Sequence, residues 1–485
     1  MFVGIGSMSV NSCDSYLNIN TDPTRPTAVS AASLLPTVQV FTASAHSRIG
    51  LQTSLWTQQV ANNLAGDDDT HNNQPTDWNT QWSNLYLSAL TTADRLATQS
   101  EAERLPHYQG ITKILQAINL LNATDTWENI PFSQAFKGDA NFTPGYDTQQ
   151  QIYTTINTLL RDANTLLAVP TTMTTSPGTD DQIYGTVTPV TARIDYWRRL
   201  GNSLQARVAL HLSAKGAQAA GQAALTALQA GALTSNAMDC QFAYTGGSTN
   251  VSPIRGVANE TTIGRIFTIW VGDYIVSMMN ANRDPRLPLI ARNSLDVPLT
   301  TYTGVVNGAG ALSGNTIISP STWYAANAIQ IMNYSEVKFI EAEARFLASG
   351  GTPTTVGVPA EARAAVIEAV TANMTKMGVA ASSIATYTQQ IPDAAAMRLS
   401  DIMTEKYKAL FLHPEIWTDM RRYNYDVNVY RNLRLPQNHN PDLRGRWIQR
   451  GIYPQTEVAR NQAAFNANWQ QRADYLAEQM WRDKR

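Results

Sequence analysis

The residues best suited to chemistry in this chain are rings set among hydrogen-bonding side chains in irregular stretches. Trp78, Trp270, Tyr274, Trp323 and Tyr324 fall in or beside segments rich in Asn, Asp, Gln and Thr. A sugar presents a face of C–H groups that stacks on an aromatic ring, while its hydroxyls need amide, carboxylate or guanidinium partners beside that ring. These five are the candidate ligand-binding residues. Trp56, Trp82 and Trp197 lie instead on helical stripes and are expected in the core. Catalysis and metal binding find less support. The histidines His46, His71, His107, His211, His413 and His439 are scattered without ligand spacing. No G-x-S-x-G, P-loop or G-x-G-x-x-G occurs, and no carboxylate pair sits in a glycosidase context. The run Asp67-Asp68-Asp69 with His71, Asn72 and Asn73 could offer oxygens to calcium, but it lacks the order of an EF-hand loop and reads as a solvated acidic loop. No catalytic residue, metal site or cofactor is predicted.

The elements that must position the rings are mostly helical. Apolar residues recur at helical spacing over Ala31 to Leu64 as one or two helices, around Trp82 to Leu96, over Tyr108 to Leu121 and over Ile152 to Leu167. The pattern resumes over Val190 to Leu212 and in an Ala- and Gly-rich helix, Ala217 to Leu228, whose small residues allow close approach to a neighbour. Between about 239 and 322 Gly, Asn, Thr, Val and Pro dominate, so a loop-rich insert with short strands at most is expected. Ser335 can cap the next helix, which ends at Gly350-Gly351; Ala360 to Met377, stopped by Gly378, and Ala394 to Leu412 follow, and the tail closes with an amphipathic segment around Trp469 to Trp481. The longest informative connection, Asp125 to Tyr153, holds Trp127, Phe132, Phe136, Phe142 and Tyr146. It is expected to pack down between its helices, with Asp147 and Gln150 capping the second.

Charged residues are only 15% of the chain, so Thr, Asn, Gln and Ser must supply the polar surface, which suits an exported protein. With a formal net charge of -2 and no basic run, attraction to nucleic acid has no electrostatic source. No apolar stretch approaches the roughly 20 residues that a spanning helix needs, so attachment to a membrane is expected through an anchor alone. Two cysteines, Cys13 and Cys240, exclude a disulfide framework; Cys240 is expected to pack as a small hydrophobe.

Four motifs, in order along nearly the whole length, resemble the SusD/RagB family of surface lipoproteins. They are Asp125-Thr-Trp-Glu-Asn-Ile-Pro131 with Ser133-Gln-Ala-Phe136 and Pro144-Gly-Tyr-Asp147; Asp284-Pro-Arg-Leu287; Glu415-Ile-Trp417 with Met420-Arg-Arg422; and Tyr453-Pro-Gln-Thr-Glu457 followed by Asn461. The Asp284–Arg286 corner reads as a structural clasp, and Arg421 and Arg422 as ties between tail and helices. Val10-Asn11-Ser12-Cys13 resembles a bacterial lipobox after a short apolar start, which makes Cys13 the expected lipidation site.

The resemblance implies a mostly α fold, a SusD-like α-α superhelix of tetratricopeptide-like helical pairs with the irregular insert. It divides the chain into a lipoprotein signal segment at 1–13, a flexible tether at 14–30 and one helical domain at 31–485. It also implies a nutrient-binding lipoprotein, lipid-anchored in the outer membrane and facing the exterior. Such a protein captures an oligosaccharide with loop rings and delivers it to a SusC-type TonB-dependent transporter. A peptide or other non-glycan cargo is the alternative within binding proteins, and a surface hydrolase the alternative from another class.

Overall fold

The computed structural model describes residues 29–62, 68–245, 251–255, 269–293, 296–309, 314–319, 321–469 and 474–485. Cys13, most of the tether and Asp67 lie outside the described residues. The first helix, α1 (Ala31–Trp56), is a single element that runs through Pro36, and the Ser30 hydroxyl caps it by accepting from the Ser33 amide at 3.3 Å. After β1 (Val60–Asn62), α2 (Asn79–Ser83) passes through a π-helical stretch, Asn84–Leu90, into α3 (Thr91–Ala102). Next come α4 (Pro106–Trp127), α5 (Gln149–Leu167), α6 (Val190–His211) and α7 (Ala217–Gln229). Each of α3 to α7 packs on the next, the stacking expected of helical pairs that cannot bury their apolar faces alone.

The insert supplies β2 (Cys240–Phe242), β3 (Ile269–Val271), α8 (Asp273–Ala281), α9 (Leu287–Ile290) and α10 (Trp323–Ala326). Two small antiparallel sheets tie it in: β1 with β3, and β2 with β4 (Ile329–Met332). The stacking then resumes with α11 (Tyr334–Ala348), α12 (Ala360–Lys376), α13 (Ala381–Thr388), α14 (Leu399–Ala409) and α15 (Glu415–Arg422). The tail adds α16 (Gln455–Arg460) and α17 (Gln462–Trp469). Helix α7 joins the two halves by packing on α11. Gly221 makes this close approach, since a Cβ there would lie 2.6 Å from the Ala344 carbonyl oxygen and 2.7 Å from the Ala348 nitrogen.

Several local signals shift by a residue or two. Asn333, not Ser335, caps α11 by accepting from the Glu336 amide at 2.8 Å, and the Ser335 hydroxyl donates to Ala369 O of α12 at 2.8 Å. Thr148 and Gln151 form the box that caps α5. Asp147 turns back instead and accepts from the Phe132 and Ser133 amides at 2.9 and 2.7 Å, which folds the long connection on itself. Only Leu399–Ala409 of the expected 394–412 helix is α14, and α13 ahead of it has no stripe long enough to announce it. Gly350 and Gly378, with φ of +85° and +80°, stop α11 and α12 as expected.

The core holds a row of indoles. Trp56 sits 4.7 Å from Trp417 and 5.6 Å from Trp78; Trp78 sits 5.4 Å from Trp127, and Trp127 4.9 Å from Trp82. The C-terminal tail closes over this row. Tyr453 donates to the Trp127 and Asn129 carbonyls at 3.0 and 2.6 Å, the Gly451 amide to Thr126 O at 2.7 Å, and Arg421 Nη1 to Gln449 O at 2.9 Å.

A second tie fastens the insert to the helices. Arg286 donates to Asp284 Oδ1 at 2.9 Å through Nε and to Glu405 Oε2 at 2.9 Å through Nη2, while Nη1 reaches Asn373 Oδ1 at 3.1 Å. Burial opposes the charge on Asp284, but Arg286, with Lys408 behind it, outweighs burial and holds the carboxyl below its usual range. Replacing Arg286 with Met leaves two buried carboxylates with Lys408 as their remaining cation. That should cost about 3–5 kcal/mol in urea unfolding, and a loss under about 1 kcal/mol would contradict the clasp. Gly221→Val should cost about 1–3 kcal/mol in the same measurement, by forcing α7 and α11 apart.

Candidate functional site

The Asp284–Arg286 clasp underlies the floor of a groove, and the helix that follows it packs on a pair of rings. On one side the groove, of about 340 Å³, runs between α8 and α14, within the roughly 300–1,000 Å³ usual for small-ligand sites. Its floor is Tyr387, Glu405 and Lys408, all buried and already committed to one another. Tyr387 donates to Glu405 Oε1 at 2.8 Å, and Lys408 Nζ donates to Tyr387 at 2.9 Å and to Glu405 at 2.8 Å. Burial works against the Glu405 charge, but Lys408 and Arg286 overcome it and keep its carboxyl below the ordinary range. The floor is therefore a fixed set of charges and not a set of free ligands.

The walls are more open to a ligand, although Asp401 Oδ2 already accepts from the Arg398 amide at 2.7 Å. Asn282, Gln390, Arg431 and Asn432 are exposed, and Asp401 and Thr404 half-buried, so amide, hydroxyl, carboxylate and guanidinium groups all face the groove. Met278, Ile391 and Pro392 add apolar surface between them. Arg431 Nη1 stands 3.9 Å from Asp401 Oδ1, a loose exposed pair that contributes little to stability and leaves donors for a ligand. Tyr274 borders this side. It lies on α8, edge-on to Tyr407 at 5.5 Å, and its hydroxyl donates to the Arg431 carbonyl at 3.1 Å, fixing the backbone that carries the guanidinium.

On the other side of the clasp, α9 packs on α10, which carries Trp323 and Tyr324. The two rings meet edge-on at 4.9 Å. Tyr324 leans on Phe411 at 5.3 Å and donates to Ala409 O at 3.0 Å, and Trp323 remains half-buried. Tyr274 thus borders the groove, whereas Trp323 and Tyr324 form a separate pair that does not line it.

Trp78 and Trp270 are not part of this surface. Trp78 is fully enclosed in the indole row and donates to Asn73 Oδ1 at 2.6 Å. Trp270, 7% exposed, is turned inward by the β1–β3 pairing onto Ala61, Val305 and Ile317. In this conformation neither ring offers a face to a cargo. Helical spacing to Trp82 could have marked Trp78 as core, and the triplet Ile269-Trp270-Val271 could have marked a strand. The acidic loop is likewise engaged: Asp69 Oδ2 accepts from the Asn62 and Gly308 amides at 3.0 and 2.9 Å. Among the described residues no three His, Cys, Asp or Glu side chains gather as a metal site, and no helix is long and apolar enough to cross a membrane. The groove residues Gln390, Asp401 and Arg431 escaped the sequence reading because three separate segments supply them, with no shared spacing.

Residues 23–454 match a protein family described as "Starch-binding associating with outer membrane". Solved structures share the fold. A SusD/RagB family protein from Bacteroides thetaiotaomicron aligns over 94% of this chain and 99% of its own, at 20% identity and a TM-score of 0.73. A chitin-binding SusD homolog from Flavobacterium johnsoniae aligns over 92% and 97%, at 20% identity and a TM-score of 0.72. No curated protein matches the chain. With the family matched over most of its length and the helical array shared with these structures, the chain belongs to the SusD-like family.

Proposed function

We propose that this protein is a cell-surface lipoprotein that binds an oligosaccharide over the Asp284–Arg286 clasp and hands it to a SusC-type TonB-dependent transporter. The observation that carries the site is the groove itself: about 340 Å³ walled by amide, hydroxyl, carboxylate and guanidinium groups over a buried, charge-paired floor, with Tyr274 at its border. Sugar hydroxyls both donate and accept, so a mixed wall of Asn282, Gln390, Asp401 and Arg431 suits them better than a wall of one charge. A half-exposed ring such as Trp323 gives their C–H faces a platform. The starch-binding description of the family and the chitin-binding description of a structural relative support a glycan cargo. The transporter and the anchor at Cys13 rest on the family resemblance.

Arg431→Ala and Trp323→Ala should each weaken binding of the glycan selected in a screen of soluble oligosaccharides and peptides, by about 1–3 kcal/mol, with the melting temperature unchanged. Unchanged affinity in both variants would move the site elsewhere, selection of peptides alone would exchange the cargo, and release of reducing sugar would reassign the protein as a hydrolase. Cys13→Ala should shift the protein from the membrane to the soluble fraction, and mild-detergent extraction of the native protein should recover a TonB-dependent barrel with it. Recovery without any barrel would leave a surface binder with no transport role.

A further inference from the structure

Away from the groove, a line of hydrogen bonds through two buried imidazoles crosses the interior. His46 of α1 and His413, in the turn between α14 and α15, face each other edge-on with Nε2 to Nε2 at 3.1 Å. Their neighbours fix where each proton sits. The Glu415 amide donates to His413 Nδ1 at 3.1 Å, so His413 carries its proton on Nε2. That N–H points to His46 Nε2, with the Ile331 carbonyl at 3.2 Å sharing it. His46 then carries its proton on Nδ1 and donates to Asn122 Oδ1 at 3.1 Å. Two neutral rings thus join α15, α1 and α4. A cavity of about 20 Å³, room for about one water, adjoins both rings and Asn122.

We propose that the His46–His413 contact is an acid-released latch that holds α1 against the turn between α14 and α15. A second proton on His46 sets an N–H against the N–H of His413. A second proton on His413 sets one against the Glu415 amide. Either event turns a donor–acceptor contact into donor against donor.

The surrounding charges decide whether the fold can absorb that proton. Burial, the facing ring and Arg207 of α6 hold His46 well below its usual value. Burial, Arg207 and Lys406 of α14 hold His413 down to about 3, with Glu415 pulling the other way. Glu415 is engaged by His211 at 2.8 Å, and Arg207 pairs with Glu336 of α11 at 2.6 Å. Asp125 of α4, at 3.2 Å, holds the other side of His211. Arg421 lines the same cavity. His211 has the opposite sign: burial lowers its pKa, but Glu415 and Asp125 raise it further. Its contribution is present below about 6.5 and lost as pH rises through its folded value. For His46 and His413 the unfolded rings protonate near 6.5 and the folded rings only far below. Each ring therefore favours the opened state about tenfold for every pH unit below 6.5, until the folded value is reached.

The test is hydrogen exchange on the full chain at pH 7.5 and 5.5, corrected for intrinsic rates. Protection of amides 42–50 in α1 should fall at least about tenfold at the lower pH, while α12 changes little. His46→Gln can still accept from His413 but takes up no proton, so it should shrink that fall by about tenfold. His71 is also buried and held to about 3, close to Trp56 at the far end of α1; His71→Phe should leave the fall in place. Equal protection at both pH values, an equal fall in α12, or a fall abolished by His71→Phe would overturn the latch. A full wild-type fall in His46→Gln would do the same. If His46→Gln does not fold, the wild type against His71→Phe decides.

Discussion

The carbonyls at the end of α4 impose the constraint on which much of the molecule depends. A helix leaves its last carbonyls without intrahelical partners, and here that end is buried, so protein groups must satisfy them. Thr126 O accepts from the Gly451 amide at 2.7 Å and Trp127 O from Tyr475 at 3.2 Å in addition to Tyr453, while Thr124 O, already bonded to the Glu128 amide, takes a second bond from the Gln149 side chain at 2.9 Å. The donors thus come from the start of α5 and from the tail. The same tail sets Glu128 against Arg450 and Tyr146 against Glu457, the latter at 2.7 Å. Satisfying one helix terminus therefore fixes the aromatic connection after it and the path of the C-terminal segment together.

This explains why three of the four family motifs are found in one place. Trp127, Trp417, Arg421, Tyr453 and Asn461 all serve the seam between helices and tail, and the Asn461 amide reaches Pro144 O at 2.9 Å to lock its outer edge. The fourth motif, Asp284 to Leu287, forms the clasp under the candidate ligand surface. The residues that carry the resemblance are interior ties. The proposed ligand chemistry falls instead to side chains such as Arg431 and Gln390, which line the groove beside those ties.

That division also explains what could be read beforehand. Helical periodicity reports burial of one face, so α5, α6 and the core positions of Trp56, Trp82 and Trp197 were legible, as were the glycine stops of α11 and α12. Ring exposure was not. Trp78 and Trp323 stand in equally polar surroundings along the chain, and only the packing of Trp56 and Trp127 from other helices encloses the first. Caps were misplaced by one or two positions because several polar residues compete at each helix start and tertiary contacts choose among them: Ser335 is drawn to α12, leaving the cap to Asn333. The Asp284–Arg286 tie was readable as a local corner, but its partners Glu405 and Asn373 were not, being about a hundred residues away.

The Tyr453 bond to the Trp127 carbonyl joins positions 326 apart in the chain. Contacts of such separation form only after most of the polypeptide is available, and their loop-closure entropy must be met before they stabilise anything. A chain growing or emerging from its N-terminus can stack α3 on α4 early, yet the end of α4 stays uncapped and the indole row stays uncovered until the last thirty or so residues arrive. Folding of this protein is thus completed from its far end, and a product cut short before Tyr453 is left with its interior open.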